Sequence, residues 1–228
     1  MPHNQIIDQL TQIILQKACP HPLRVAIDGV DASGKTTFTD ALAESLKATP
    51  RQIIRASVDD FHLPRAIRHR RGSLSPKGFY QDSFDYPALI KNLLKPLGPA
   101  GTRRYQTKVF DLDSDCAASS EIRLAHDGAI LLMDGIFLLR PKLVPYWDLT
   151  VYLHANFSNT LTRGVKRDAE LFGSKQEAEH RYQIRYIPGQ KLYHAEAHPF
   201  DRADIVIDNN HLDDPEILRI SKKLIQSG

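Results

Sequence analysis

The sequence predicts a three-layer α/β/α fold, in which helices cover both faces of a mainly parallel β-sheet. Short apolar runs rich in branched residues alternate along the chain with amphipathic helical patterns. That alternation is typical of parallel strands joined by crossover helices. The 228 residues, of which 42% are hydrophobic and 25% charged, also suffice for the core of one such unit. We therefore expect residues 1–228 to form a single domain.

The elements follow one another in a regular order. Residues 4–18 carry isoleucine and leucine at helical spacing, and the prolines at 20 and 22 end that helix. Apolar runs predict strands at 23–27, 53–58, 129–133, 149–153 and 205–207. Helical patterns predict helices at 35–47, 87–94, 157–171, 175–187 and 215–225. The remainder of 59–127 is expected to be irregular.

Composition excludes several classes of protein. The longest apolar run, Ala129 to Met133, is far too short to span a membrane, and no secretory signal precedes the first helix. Two cysteines, Cys19 and Cys116, cannot build a disulfide framework or a four-cysteine zinc site. A net charge of +3 does not indicate a nucleic-acid partner. We expect a cytoplasmic protein without membrane or nucleic-acid partners.

One motif carries the strongest functional signal. Residues Gly29 to Thr36 fit the pattern G-x-x-x-x-G-K-[ST] at every fixed position, between a predicted strand and a predicted helix. The glycines allow the backbone N–H groups to curl around phosphate oxygens, and the helix N-terminus adds its dipole. Lys35 would hold the β- and γ-phosphates, and the Thr36 hydroxyl would bind Mg²⁺. The expected nucleotide-binding residues are Gly29, Asp31, Ala32, Ser33, Gly34, Lys35, Thr36 and Thr37. The chain is thus predicted to be a P-loop NTPase that uses ATP and Mg²⁺.

Carboxylates follow two of the predicted strands, at the sheet edge where ligands bind in parallel α/β proteins. Asp134 directly follows the apolar run that ends at Met133, which is the position of a second magnesium ligand. Asp59 and Asp60 follow the strand that ends at Val58. A kinase needs a carboxylate there to accept the proton of the acceptor hydroxyl. Neighbouring residues cannot both point into the site, and spacing alone does not choose between these two.

Together these motifs resemble the uridine–cytidine kinase family of P-loop kinases, to which phosphoribulokinase and bacterial pantothenate kinase are related. The resemblance covers most of the chain, from about residue 23 to 208, and is strongest for a bacterial uridine kinase-like group. The strings that carry it, besides the phosphate loop, are Ser57–His62, Ser83–Pro87, Arg103–Tyr105, Leu132–Ile136, Arg163 with Arg167-Asp168, Gly189–Tyr193 and Ala203–Ile207.

The resemblance implies a role for each matching residue. It selects Asp59 as the catalytic base and gives Asp134 the magnesium position. It places Phe61 and His62 against the acceptor, and it makes Asp85 a ligand of the acceptor's ribose hydroxyls. The lid is expected at about 163–187. There Arg163 and Arg167 would neutralise charge on the transferred phosphoryl group, although a solvated pair on a helix face is an equal alternative.

Two departures leave the acceptor open. The family's pyrimidine-reading histidine falls near Asp115 in this sequence, and residues 169–174 lack the family's further lid arginines. Residues 65–71, in contrast, contain four arginines, so Arg65 and its neighbours are candidates to bind an anionic acceptor or to replace the lid charges. The leading hypothesis is a kinase for the 5′-hydroxyl of uridine or cytidine. The alternatives are a kinase for pantothenate, a sugar or a phosphorylated metabolite, and a nucleotide-dependent switch ATPase. A homo-oligomer also stays open.

Overall fold

The computed structural model describes residues 2–118 and 120–225. Its strands are β1 (Leu23–Gly29), β2 (Ile53–Ser57), β3 (Arg104–Tyr105), β4 (Phe110–Asp111), β5 (Cys116–Ala117), β6 (Arg123–Leu124), β7 (Ile130–Gly135), β8 (Leu149–His154), β9 (Ile205–Asp208) and β10 (Glu216–Ile220). Its helices are α1 (Pro2–Gln16), α2 (Lys35–Leu46), α3 (Arg65–Arg68), α4 (Pro76–Asp82), α5 (Tyr86–Leu89), α6 (Phe157–Asp168), α7 (Lys175–Arg181), α8 (Ile187–Ala197), α9 (Pro199–Arg202) and α10 (Lys222–Ile225).

The central sheet has six strands in the order β10-β9-β8-β1-β7-β2. All neighbours pair in parallel except β10, which runs antiparallel to β9 at one edge. The central strands β1 and β7 are buried along their whole length, as expected for strands covered by helices on both faces. The predicted three-layer α/β/α fold with a mainly parallel sheet is confirmed.

Successive side chains of each strand enter different cores on the two faces of the sheet. On one face, Leu23, Val25 and Ile27 of β1 pack in a cluster with apolar residues of α1 and α2. On the other face, Leu131 and Met133 of β7 belong to a cluster that includes apolar residues of α4, α5 and α8. Both faces of the sheet are therefore sealed by helices, and only the ends of the strands are left for a site.

Helix α1 packs on its own sheet. It spans Pro2–Gln16, slightly earlier than the predicted 4–18, because Lys17 to Pro20 already form the turn into β1. Ile6, Ile7, Leu10 and Ile14 are buried in the same cluster as β1 and α2. The apolar stripe of this helix is therefore used within the chain.

The C-terminal segment corrects a prediction. Residues 215–225 were expected to form one helix that begins at the proline, but Glu216–Ile220 is strand β10, and only Lys222–Ile225 is helical. The edge of β9 offers backbone partners to this segment, and β10 pairs with it across a bulge between Ile217 and Arg219. Pairing with the preceding strand thus outweighs the local helical pattern.

Two further segments differ from the prediction. The stretch expected to be irregular contains two small antiparallel pairs, β3 with β6 and β4 with β5. The helix predicted at 175–187 is longer, since α7 continues through a π-helical turn, Tyr182–Tyr186, into α8. No helix within residues 2–118 and 120–225 is long and apolar enough to cross a membrane.

Candidate active site

The phosphate loop joins the end of β1 to the start of α2. β1 ends at Gly29 and α2 begins at Lys35, so the loop lies at the carboxyl edge of the sheet. Gly34 has a φ of 90°, a left-handed conformation that favours glycine, and a Cβ atom there would lie 2.8 Å from Asn209 Nδ2. The strand, the tight turn and the helix required by the motif are all present.

Lys35 is buried inside this loop. Its Nζ donates a hydrogen bond to the carbonyl oxygen of Val30 at 2.7 Å. Burial lowers the pKa of the Lys35 ammonium, and the nearby carboxylates of Asp31, Asp28 and Asp134 act in the opposite direction. An ammonium group carries three hydrogens, so Lys35 can also donate to a phosphate at the mouth of the loop.

Thr36 and Asp134 supply adjacent oxygen atoms. The parallel register sets Asp134 of β7 beside Ile27 of β1, and the Thr36 hydroxyl donates to Asp134 Oδ2 at 2.8 Å. Arg55 of β2 holds the other carboxylate oxygen, with Nη1 to Oδ1 at 2.9 Å. A hydroxyl and a carboxylate are the hard oxygen donors that Mg²⁺ prefers, so this pair fits the ion in its chemistry.

Asp59 and Asp60 face different surroundings. They lie in the short 3₁₀ turn Val58–Phe61 after β2, where Asp59 opens onto a cleft beside the phosphate loop. Asp60 lies beside Lys108, with 3.7 Å between Nζ and Oδ1. Desolvation by the surrounding protein atoms, together with the negative charges of Asp31 and Asp134, raises the pKa of Asp59 to about 6.

The cleft has a volume of about 240 Å³, and both charged and aromatic side chains line it. Apart from ring side chains, its lining residues with acidic, basic or hydroxyl side chains are Asp31, Lys35, Thr36, Asp59, Asp134, Arg167 and Asp168. The ring side chains that line it are His62, Phe79, Phe84, Phe172 and Tyr186. The proposed phosphate-binding and acid–base groups therefore share one cavity with several ring side chains.

His62 lies in this cleft as a neutral ring. Its Nδ1 is 2.8 Å from the carbonyl oxygen of Asp59, and its ring centroid is 4.5 Å from that of Phe84. Desolvation lowers the pKa of His62 to about 4. Because a carbonyl oxygen can only accept a hydrogen bond, Nδ1 carries the proton in the neutral ring.

Three other predicted acceptor-binding residues do not line this cleft among the described residues. Phe61 is fully buried in the core behind it. Asp85 caps α5, where its Oδ1 accepts a hydrogen bond from the Ala88 N–H at 2.9 Å. Arg65 begins α3 with an exposed side chain, and its backbone N–H donates to the carboxylate of Asp115.

Arg163 lies beside a second hollow. Its guanidinium donates to the carbonyl oxygens of Asn209, at 3.0 Å, and Asn210, at 2.5 Å, so it ties α6 to the loop after β9. This hollow has a volume of about 310 Å³ and reaches the outer side of the phosphate loop. Its lining residues are Ala32, Gly34, Lys35, Thr36, Thr37, Arg163, Arg167 and Leu212.

Arg167 connects the proposed lid to the phosphate loop. Its Nη2 donates to Asp31 Oδ1 at 3.1 Å, and its Nε donates to the adjacent Asp168 at 2.7 Å. The Tyr182 hydroxyl donates to Asp168 Oδ2 at 2.8 Å and so fixes that carboxylate. Arg167 lines both hollows, whereas Arg163 lines only the outer one of these two.

The basic cluster at 65–71 is largely neutralised within the protein. Arg68 pairs with Asp115 at 2.8 Å. Arg70 and Arg71 both bind the buried carboxylate of Asp82. The carboxylate of Asp115 thus belongs to this network.

Sequence reasoning missed several residues that support the site. Arg55 was not singled out, although it orients Asp134. Gln190 and Tyr193 lie in the string 189–193, which contributes to the family resemblance without a role for either residue, and both bind the segment that leads into or forms the phosphate loop. Their polar side chains at buried helical positions are the signal that could have identified them.

A mainly parallel sheet, a complete phosphate loop and the paired oxygens of Thr36 and Asp134 define the class: this is a P-loop protein of the nucleotide-binding type. No protein-family model matches the chain. Uridine-cytidine kinase B of Dictyostelium discoideum is 27% identical over 149 residues, which are 65% of this chain. The match covers only 59% of that relative's length.

Solved structures share the fold. A "Possible Uridine Kinase" from Bacillus stearothermophilus superposes with a TM-score of 0.72 and 23% identity, over 90% of this chain and 99% of the other. Phosphoribulokinase from Rhodobacter spheroides gives a TM-score of 0.56 and 16% identity, over 83% and 70%. The predicted resemblance is confirmed: the chain is similar to a uridine–cytidine kinase in sequence and to P-loop kinases in fold.

Proposed function

We propose that this chain is a magnesium-dependent kinase that transfers the γ-phosphoryl group of ATP to a hydroxyl of a small, uncharged acceptor. A nucleoside with a free 5′-hydroxyl, uridine or cytidine, is the first candidate. The observation that carries the proposal is the shared cleft, in which Asp59 opens beside Lys35, Thr36, Asp134 and Arg167. A base next to a phosphate loop is the arrangement that phosphoryl transfer to a hydroxyl requires.

The residues divide the chemistry among them. Asp59 accepts the proton of the acceptor hydroxyl while its oxygen forms a bond to the γ-phosphorus, and the bond to the β-phosphate oxygen breaks to release ADP. Lys35 and the loop N–H groups bind the phosphates, and Arg167 moves from Asp31 towards the charge that develops on the phosphoryl group. Thr36 and Asp134 would hold Mg²⁺, which when bound neutralises triphosphate charge.

The charges around the cleft favour an uncharged acceptor. Its two cations, Lys35 and Arg167, both lie on the phosphate-loop side. Arginines 68, 70 and 71 are paired with carboxylates of the chain, which argues against a phosphorylated acceptor. The ring side chains that line the cleft, among them His62, Phe84 and Tyr186, suit a planar ring.

The test measures ADP release from MgATP with a panel of acceptors. The panel contains nucleosides, pantothenate, sugars and sugar phosphates, and the products are analysed by mass. We expect uridine or cytidine to stimulate ADP release and to gain one phosphoryl group. The Lys35→Met variant, which lacks the phosphate-binding charge, is the inactive control.

Each other outcome points to a different function. Turnover of a sugar phosphate or another anion would reject the uncharged acceptor and leave the kinase. ADP release that no acceptor stimulates, with no phosphorylated product, would reject the kinase in favour of a nucleotide-dependent switch.

A further inference from the structure

Two side chains of helix α8 make hydrogen bonds to the region of the phosphate loop. The Gln190 side chain is only 2% exposed, and its Oε1 accepts a hydrogen bond from the backbone N–H of Asp31 at 2.6 Å. Three residues further on, the Tyr193 hydroxyl donates to the carboxylate of Asp28, at the end of β1. Residues three apart share one face of a helix. Gln190 and Tyr193 therefore bind the chain on both sides of Gly29 from the same face of α8.

The same carboxamide also contacts the backbone of a residue that lines the cleft. Gln190 Nε2 donates to the carbonyl oxygen of Tyr186 at 3.1 Å, and the Tyr186 side chain lines the cleft. One buried amide group therefore connects the Asp31 N–H of the phosphate loop with the Tyr186 carbonyl oxygen beside the cleft. This dual use requires both an acceptor oxygen and a donor nitrogen, which glutamine supplies and glutamate does not when ionised.

Close packing fixes the position of α8. A Cβ atom at Gly189 would lie 2.7 Å from Phe79 Cδ1 and 2.9 Å from the carbonyl oxygen of Pro76, so α8 lies directly against α4. The Tyr193 hydroxyl also accepts a hydrogen bond from the Leu139 N–H at 3.0 Å. The helix that carries Gln190 cannot shift to compensate for a change in the loop.

From these contacts we infer that Gln190 is a positioning residue for the phosphate donor, holding the Asp31 segment of the phosphate loop in its nucleotide-binding conformation. Loss of the carboxamide leaves the Asp31 N–H and the Tyr186 carbonyl without this partner, and the loop loses its anchor to α8. The inference rests on the nucleotide-binding part of the proposed function, and it is independent of the acceptor.

The test is binding of MgATP without an acceptor, measured by calorimetry. The variant Gln190→Met keeps the length of the side chain and removes both polar groups. We expect its Kd for MgATP to rise on the order of tenfold. Gln183→Met is the matched control, because Gln183 is exposed and donates only to Glu179, one turn away. Its Kd should equal that of the wild type.

A second variant separates positioning from a loss of folding. When the carboxyl group of the Gln190→Glu variant is protonated, it offers one acceptor and one donor, as the glutamine side chain does here. When the carboxyl group is ionised, it lacks the donor to the Tyr186 carbonyl oxygen. As the pH is lowered, the ratio of its Kd to that of the wild type should therefore approach one. Asp28, Asp31, Lys35 and Arg167 lie near the loop in both proteins, so the wild type at the same pH is the reference for each measurement.

The outcomes decide between the two proposals. If the wild type binds MgATP and Gln190→Met binds it equally well, the inference is overturned while the proposed function stands. The inference is also overturned if the ratio of the Gln190→Glu Kd to the wild-type Kd does not change with pH. If the wild type fails to bind MgATP, the proposed function fails, and the positioning role fails with it.

Discussion

At the scale of single residues, Asp59 and Asp60 show how strongly position decides role. Both follow the same strand, yet only Asp59 opens onto the cleft with the phosphate loop, while Asp60 lies beside Lys108. The 3₁₀ turn over 58–61 produces this difference, because it points successive side chains in different directions. The two residues therefore form a matched pair for mutagenesis.

Asp59→Asn removes the proton acceptor without changing the shape of the side chain. We expect kcat to fall by about a hundred- to ten-thousandfold, the usual contribution of a general base, while the Kd for MgATP stays near the wild-type value. Single-turnover kinetics and calorimetry check the two quantities. Asp60→Asn should keep most of the activity, and an Asp59→Asn enzyme with full turnover would contradict the assignment.

The raised pKa of Asp59 predicts a pH dependence. A general base works when deprotonated, so kcat/KM should be high above the pKa of about 6 and should fall as the pH decreases through it. The pH profile of kcat/KM measures this limb. A flat profile between about pH 5 and 8 would show that the carboxyl is not the titrating base.

At the scale of elements, the proposed lid depends on one close contact. A Cβ atom at Gly164 of α6 would lie 2.2 Å from Tyr182 Cζ, so only glycine allows the π-helical turn to pack here. This contact places the Tyr182 hydroxyl on Asp168, which in turn holds Arg167. The position of Arg167, the proposed catalytic arginine, thus depends on a glycine in another turn of the same helix.

Gly164→Ala should displace Tyr182 and lower the stability of the protein. Overpacking costs about 1–3 kcal/mol, and the better helix propensity of alanine returns up to about 1 kcal/mol. Urea unfolding measures the difference. Gly128→Ala is the control, since a Cβ atom at Gly128 meets nothing within 4 Å. Equal stabilities of the two variants would contradict the close packing.

The elements also show what the sequence can and cannot predict. Strands, the phosphate loop and Asp134 were predictable, because apolar runs and the fixed spacing of the glycines and Lys35 are local signals. Strand β10 was not, because its local pattern is helical and its pairing with β9 decides its conformation. Nor could the sequence show that Asp85 caps α5, or that Asp82 and Asp115 pair with the arginines at 68, 70 and 71. Such partners are chosen by tertiary contacts.

At the scale of the whole molecule, a buried charge next to the phosphate loop lowers stability at neutral pH. Asp28 is fully buried at the centre of the sheet, and desolvation raises its pKa from 3.8 to about 6, despite hydrogen bonds from Tyr193, Gly29 and Leu139. Between these values the folded protein keeps a proton that the unfolded chain releases. The contribution of Asp28 to stability therefore falls as the pH rises from about 4 to 6.

Asp28→Asn should remove this pH dependence. The asparagine keeps the shape of the protonated carboxyl and carries no charge, so its stability relative to the wild type should improve by up to about 3 kcal/mol between pH 4 and 7. Urea unfolding of both proteins at the two pH values gives the difference. If the two proteins differ by the same amount at both pH values, Asp28 does not titrate as proposed.

The central place of β1 has a consequence for protein synthesis. Its neighbours in the sheet are β7 and β8: Leu23 lies beside Ile130, and Val25 lies beside Leu149. During translation β1 therefore leaves the ribosome long before either partner exists, and it must wait as unpaired, apolar chain. The phosphate loop that begins at Gly29 cannot be assembled until β7 and β8 have emerged, so the capacity to bind nucleotide is acquired late on the ribosome.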